Sequence, residues 1–253
     1  MLRLKSDVDR ELIELACVFA RTQIGKQYSL KDAIKTKNPL SKKIDTNRQF
    51  CSRLVAQSYE FAGLNLVDNG SFCTPQELDD SVYTYRVNDC LRDADTVEVD
   101  FAKSDSPLKS QANITNSILK EARKIVREDI QTYEQLINYV CSHPKYDKEI
   151  TSLVENSGYL LMWQYDLKVS SWRYDLDIFL NIQESGLYDI ASQELESAKN
   201  IRSRHVYMYK QFLAIWQVRG LKFAEINLIL YLKLIELTNQ RITVATSVLE
   251  RIK

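Results

Sequence analysis

The chain has 253 residues, 45% of them hydrophobic and 27% charged, which is enough apolar material for a sizeable core in one large domain or two smaller ones. Lysine and arginine together number 34, as do aspartate and glutamate, so a formal net charge of +0 leaves no global footprint for nucleic acid, and no nucleic-acid partner is expected. Five widely spaced cysteines (Cys17, Cys51, Cys73, Cys90 and Cys141) without a C-x-x-C pair argue against a disulfide framework or a zinc knuckle and point to a reducing, cytoplasmic setting.

In chain order, "LRLK" has the makings of a short strand, and residues 7–23 read as a helix with Leu12, Leu15, Ala16 and Phe19 inward. A loop-rich connection follows, and then a helix from Cys51 with Leu54, Val55, Ser58, Tyr59 and Ala62 at helical spacing. That pattern puts Cys51 in the first turn, on the inward face. Gly63 ends this helix by supplying the left-handed residue a helix terminus favours. In "TPQEL", Thr74 caps a further helix, Pro75 takes its first position and Glu77 completes a capping box. "VYTYRV" and "DTVEVDF" alternate with the two-residue period of half-buried strands.

Beyond the polar stretch around Pro107 the strand pattern stops. Helical periodicity continues over residues 108–128, 131–141, 148–156, 159–168, 172–184, 188–217 and 221–252. The reading is α+β for residues 1–105 followed by an all-α helical extension over 106–253. Trp163, Trp172 and Trp216 all fall in the extension and read as core anchors of a helical bundle. In its last segment Ile242, Ala245, Leu249 and Ile252 form an apolar stripe, a surface for a protein partner or a homodimer beyond its use within the bundle. No stretch reads as a transmembrane segment or a signal-peptide core.

The residue with the clearest chemistry is Cys51. At a helix N-terminus a thiol faces the positive end of the macrodipole and unpaired backbone N–H groups, which favour its thiolate form. The loop before it is basic: Lys26, Lys31, Lys35, Lys37, Lys42, Lys43 and Arg48 are opposed by Asp32 and Asp45. The other four cysteines read as packing thiols, with Cys73 the one placed near Cys51. No metal-ligand spacing and no glycine-rich phosphate loop occurs, so neither a metal nor a cofactor is expected.

"FCSRLVAQSYEFAGLNL", preceded by "ACVFARTQIGKQYS" and followed by "FCTPQEL", resembles the NlpC-like permuted papain-fold cysteine hydrolases, in their YiiX/YebB-like branch. The resemblance covers about residues 1–105 and includes the element Gly25, Lys26, Gln27, Tyr28. It implies an N-terminally incomplete permuted papain-like domain with Cys51 as nucleophile, Ser52 as its constant neighbour and the Cys51 N–H as an oxyanion donor. The implied reaction is thiolate attack on the carbonyl of a peptide, amide or acyl-ester substrate through an acyl-enzyme.

The resemblance also places the general-base histidine on strands that precede the helix of residues 7–23, where this chain has none. Its two histidines, His143 before Pro144 and His205, both lie in the extension. A longer natural chain, a base from another chain, and an inactive relative acting as a helical interaction scaffold all remain open at this point.

Overall fold

The structure is a computed structural model that describes residues 1–5, 8–36, 45, 47–103, 106–182 and 186–252. The chain divides into two compact units, Met1–Asp105 with Glu128–Leu136, and Ser106–Arg127 with Ile137–Lys253. The described residues are mostly helical, with two short strands.

In the first unit β1 (Leu2–Leu4) pairs antiparallel with β2 (Thr84–Arg86), Leu2 opposite Arg86 and Leu4 opposite Thr84. α1 (Arg10–Thr22) is capped by Asp9, whose carboxylate accepts the Glu11 N–H; the start expected at Asp7 lies outside the described residues. α2 (Leu30–Lys35) and α3 (Cys51–Phe61) follow, and α1 packs along α3. At the end of α3, Gly63 has φ +92°, and the Leu64 N–H reaches back to the Tyr59 carbonyl at 2.8 Å, closing the helix as a Schellman turn. The expected capping box of α4 (Pro75–Asp79) is present, with Thr74 and Glu77 bonded reciprocally. Ala56, Leu64, Leu66, Cys73 and Leu78 form the unit's apolar core, with Leu12 and Tyr59 packed against it.

Three expectations for this unit are corrected. "DTVEVDF" is not a strand: Thr96–Lys103 forms α5, because the Asp95 carboxylate accepts the Glu98 N–H (2.9 Å) while Glu98 accepts the Asp95 N–H (3.0 Å). That reciprocal cap nucleates a helix, and Val97 and Phe101 are 75% and 76% exposed, outside the β1–β2 sheet of the described residues. Leu15 of α1 is exposed, and it is Ala16 that is buried. The inward face of α3 is also rotated from the expected one. Ser52, Arg53, Ala56 and Ser58 are buried, whereas Cys51 and Val55 are exposed.

The reason for the rotation is Arg53. Its guanidinium is 1% exposed and forms an ion pair with Asp32, itself 3% exposed, with Nη1 and Nη2 both 3.3 Å from Asp32 Oδ2. Nε donates to the Ser71 carbonyl (2.8 Å) and Nη1 to the carbonyls of Asp45 and Arg48 (3.3 Å each). The cation also lies 4.4 Å from the Phe50 ring centroid.

The second unit contains α6 (Pro107–Val126), α7 (Tyr133–Ser142), whose first residues count with the first unit, and α8 (Asp147–Asn156). It continues with α9 (Met162–Val169), α10 (Leu176–Leu180), α11 (Leu187–Arg219) and α12 (Lys222–Arg251). The helix expected over 172–184 is a 3-10 turn, Ser171–Arg173, followed by the short α10, and its expected end at Glu184 lies outside the described residues. The last two helices form a long antiparallel hairpin turning at Gly220, whose φ of +63° suits glycine.

Ala245, Leu249 and Ile252 pack internally with Phe179, Ala191, Val244 and Val248, so most of the stripe read as a partner surface belongs to the unit's own core. Trp172 meets Phe179 edge-on at 4.8 Å as an anchor should, but Trp216, in the last turn before Gly220, is 43% exposed. No helix among the described residues is long and apolar enough to cross a membrane.

Asp32→Asn leaves the Arg53 guanidinium buried without its counter-charge, and the expected loss is about 3 kcal/mol of folding stability, read from urea unfolding followed by far-UV circular dichroism.

Candidate functional site

Cys51 is the first residue of α3, and the N-cap residue Phe50 makes no side-chain cap bond to it. The N–H groups of its first turn have no partner within the helix, and the thiol beside them is exposed. Behind it the frame is hydrogen-bonded. The Ser52 hydroxyl, buried, donates to the Cys73 carbonyl at 2.7 Å, which ties the start of α3 to the residue preceding the Thr74 cap. At that cap the Thr74 N–H donates to the Glu77 carboxylate at 2.6 Å and the Glu77 N–H returns to Thr74 Oγ1 at 3.2 Å.

The two thiols differ sharply. Cys73 is 1% exposed, and burial pushes its thiol up to about 11, with the charges of Glu77 and Cys51 acting in the same direction. Cys73 is thus a packing thiol beside an exposed one. Cys17 and Cys90 are also exposed, and Cys141 is partly buried.

The Gly25–Tyr28 element lies alongside the approach to Cys51. Tyr28 and Gln49 form a parallel bridge, in which the Ser29 N–H donates to the Gln49 carbonyl (2.8 Å) and the Gln49 N–H to the Gln27 carbonyl (3.0 Å). A second support comes from a segment about eighty residues further on. Arg48 holds Asp129 with both guanidinium nitrogens (2.8 and 3.3 Å), Asn47 donates to the Asp129 carbonyl (2.8 Å), and Gln135 donates to Asn47 Oδ1 (2.8 Å). Arg48 keeps the Asp129 carboxyl below its ordinary range, chiefly through that hydrogen bond. Gln131, fully buried, accepts the Gln27 N–H at 3.3 Å and donates to the Asp129 carboxylate.

Of the basic loop, Lys37, Lys42 and Lys43 lie outside the described residues, as does the side chain of Lys35. Lys26 is half-buried, and its ammonium is lowered from its ordinary value by burial and then by the like charge of Arg53, against a smaller opposing effect of Asp45. Arg53, Gln57 and the Asn47–Asp129 pairing, which hold the start of α3 in place, were not singled out by the sequence reading. The available signal was a charged residue two positions after Cys51 on a helix otherwise rich in small and apolar residues.

Both histidines belong to the second unit. His143 is exposed and stacked on Tyr139 at 4.2 Å, its Nδ1 3.1 Å from the Tyr139 carbonyl. His205 lies in α11 with its ring 6.0 Å from Tyr231, its Nδ1 is buried without a hydrogen-bond partner among the described residues, and burial pushes it down to about 4. No group of three His, Cys, Asp or Glu among the described residues could hold a metal ion. No family model, no curated protein and no solved structure matches the chain.

Two outcomes follow from these environments. A brief pulse of iodoacetamide on the native protein at neutral pH, mapped by peptide mass spectrometry, modifies Cys51 and leaves Cys73 unmodified until denaturant is added. Because folded His205 titrates near 4 and its unfolded form near 6.5, the folded state binds fewer protons between those values. The His205 contribution is therefore fully present above about 6.5 and is lost as the pH falls toward 4; thermal melts across that window show a shallower acid-side loss for His205→Phe than for the wild type.

Proposed function

We propose that the first unit carries the nucleophile of a cysteine hydrolase of the NlpC-like permuted papain type, with Cys51 attacking an amide or ester carbonyl. The observation that carries this reading is an exposed thiol on the first residue of a helix whose N-cap residue makes no side-chain cap bond, with the Gly25–Tyr28 element bridged beside its approach and the Ser52–Cys73 and Thr74–Glu77 bonds behind it.

In the proposed reaction the Cys51 thiolate adds to the carbonyl carbon, and the backbone N–H groups of the first turn of α3 hold the oxygen as it gains negative charge. Collapse breaks the bond to the amine or alcohol, which leaves with the proton taken from the thiol, and the acyl group stays on sulfur as a thioester. Water then adds to the thioester carbonyl, the acid departs and the thiol is restored. The group that takes and returns the proton is not a histidine of the first unit, since that part of the sequence contains none.

The test is acylation by p-nitrophenyl acetate, followed by peptide mass spectrometry. The expected result is an acetyl thioester on Cys51 that forms about tenfold or more faster than on the exposed Cys17 and Cys90, and that disappears in Cys51→Ala. Equal acylation of the three exposed thiols would overturn the reading.

A further inference from the structure

A cleft of about 360 Å³ opens between α1 and α3, lined by Phe19 and Gln23 from α1, by Lys26 and Arg48, and by Arg53, Gln57, Glu60 and Phe61 from α3. Its volume falls in the range of small-molecule sites. At 3.6 residues per turn, Arg53, Gln57, Glu60 and Phe61 lie on the side of α3 away from Cys51. The cleft is therefore separate from the thiol face, and nothing about it depends on the hydrolase reading.

The sign of a ligand's charge follows from which charges of the cleft are already met. Arg53 is 1% exposed and neutralised by Asp32, and Arg48 holds Asp129 at 2.8 Å. Lys26 is likewise engaged, with Asp45 as an opposing charge. Glu60 differs: it is exposed, and among the described residues its carboxylate makes no hydrogen bond and no ion pair. Its neighbours one helical turn away, Ala56, Gln57, Gly63 and Leu64, carry no charge. Gly70 leaves the carboxylate its place, since a Cβ there would lie 2.8 Å from Glu60 Oε2. The charge left without a counterpart in the cleft is negative.

Beside Glu60 stands an aromatic shelf. Phe19 and Phe61 have ring centroids 5.3 Å apart, and Phe61 is more than half exposed. Phe50 and Phe72 each face the Arg53 cation, whereas among the described residues no cation lies over Phe19 or Phe61. A ring face attracts positive charge as well as apolar surface, so this shelf favours the body of a cation over that of an anion. The floor of the cleft is built: Gln57 bonds to Gln49 and Ser71, and Arg53 to the Ser71 carbonyl. These groups are preorganised, so a ligand would not bear the entropy of ordering them.

We propose that this cleft binds a small organic cation, an amine with an apolar body, its ammonium at Glu60 and its carbon chain on Phe19 and Phe61. The ammonium supplies the counter-charge that Glu60 lacks among the described residues, and the chain covers exposed ring surface.

The probe is hexylammonium, compared with the neutral 1-hexanol and the anionic hexanoate by ligand-observed NMR on the full chain. The expected result is binding of hexylammonium about fivefold tighter than hexanol, with hexanoate the weakest of the three. Glu60→Gln removes the preference for the ammonium, Glu60→Asp keeps part of it, and Phe61→Ala weakens both hexylammonium and hexanol. Unchanged far-UV dichroism of each variant separates loss of binding from loss of fold. N-acetyl-lysine amide in place of hexylammonium identifies the source of the ammonium: tighter binding assigns the cleft to a peptide lysine, weaker binding to a free amine. Equal affinity for hexylammonium and hexanol, tighter binding of hexanoate than of hexylammonium, absence of binding, or a Glu60→Gln variant that binds hexylammonium like the wild type would overturn the proposal.

Discussion

The buried guanidinium of Arg53 is the constraint on which the first unit turns. A charge withdrawn from water is tolerated only when its donors are met, and here they are met by Asp32, Asp45, Arg48 and Ser71, from separate stretches of the chain. Each of those stretches is thereby tied to α3 just after its first turn. Residues two apart on a helix point in nearly opposite directions, so turning Arg53 into the unit turns Cys51 out of it. The exposure of the thiol and the burial of the guanidinium have the same origin.

The second unit uses the same kind of bond for a different purpose. Glu194 of α11 and Arg241 of α12, both nearly buried, meet at 2.6 Å, and Arg173 approaches the other Glu194 oxygen at 3.4 Å. Arg173 also faces Asp166, which accepts the Tyr174 hydroxyl at 2.5 Å. Two long helices with apolar contacts along their length can slide by a turn at little cost, but a buried charge pair cannot be remade one turn away. Arg202 bonding Asn239 at 2.5 Å adds a second fixed point to the register. The apolar stripe of α12 then packs on Phe179 and Ala191 and does not remain available as a continuous outer face.

Local chemistry was legible wherever a few neighbouring residues decide the outcome. The Thr74–Glu77 box, the Gly63 stop, the start of α3 at Cys51 and the short strands in "LRLK" and "VYTYRV" all depend on residues within one turn or one pleat. The α5 error is instructive because two local signals compete in "DTVEVDF". Alternation needs a partner strand to have any value, whereas the Asp95–Glu98 box satisfies two backbone donors without help. Among the described residues the strands pair only with each other, and the cap prevails.

By itself the sequence determined the helix that presents Cys51, the caps around it, the glycine that ends it and the absence of a histidine anywhere near it in the chain, because each is a property of residue type and short spacing. Only the tertiary structure decided which way that helix faces. Large apolar residues pointed to one face, but the side that is buried carries Ser52, Arg53 and Ala56, since an ion pair with Asp32 and close packing on α1 outweigh the burial of Val55. The Glu128–Leu136 segment likewise joins the first unit through Asp129 and Gln131, pairings across 81 and 104 residues that no local pattern encodes. Long-range polar contacts of this kind depend on where the backbone brings their groups, and that is settled by the fold as a whole.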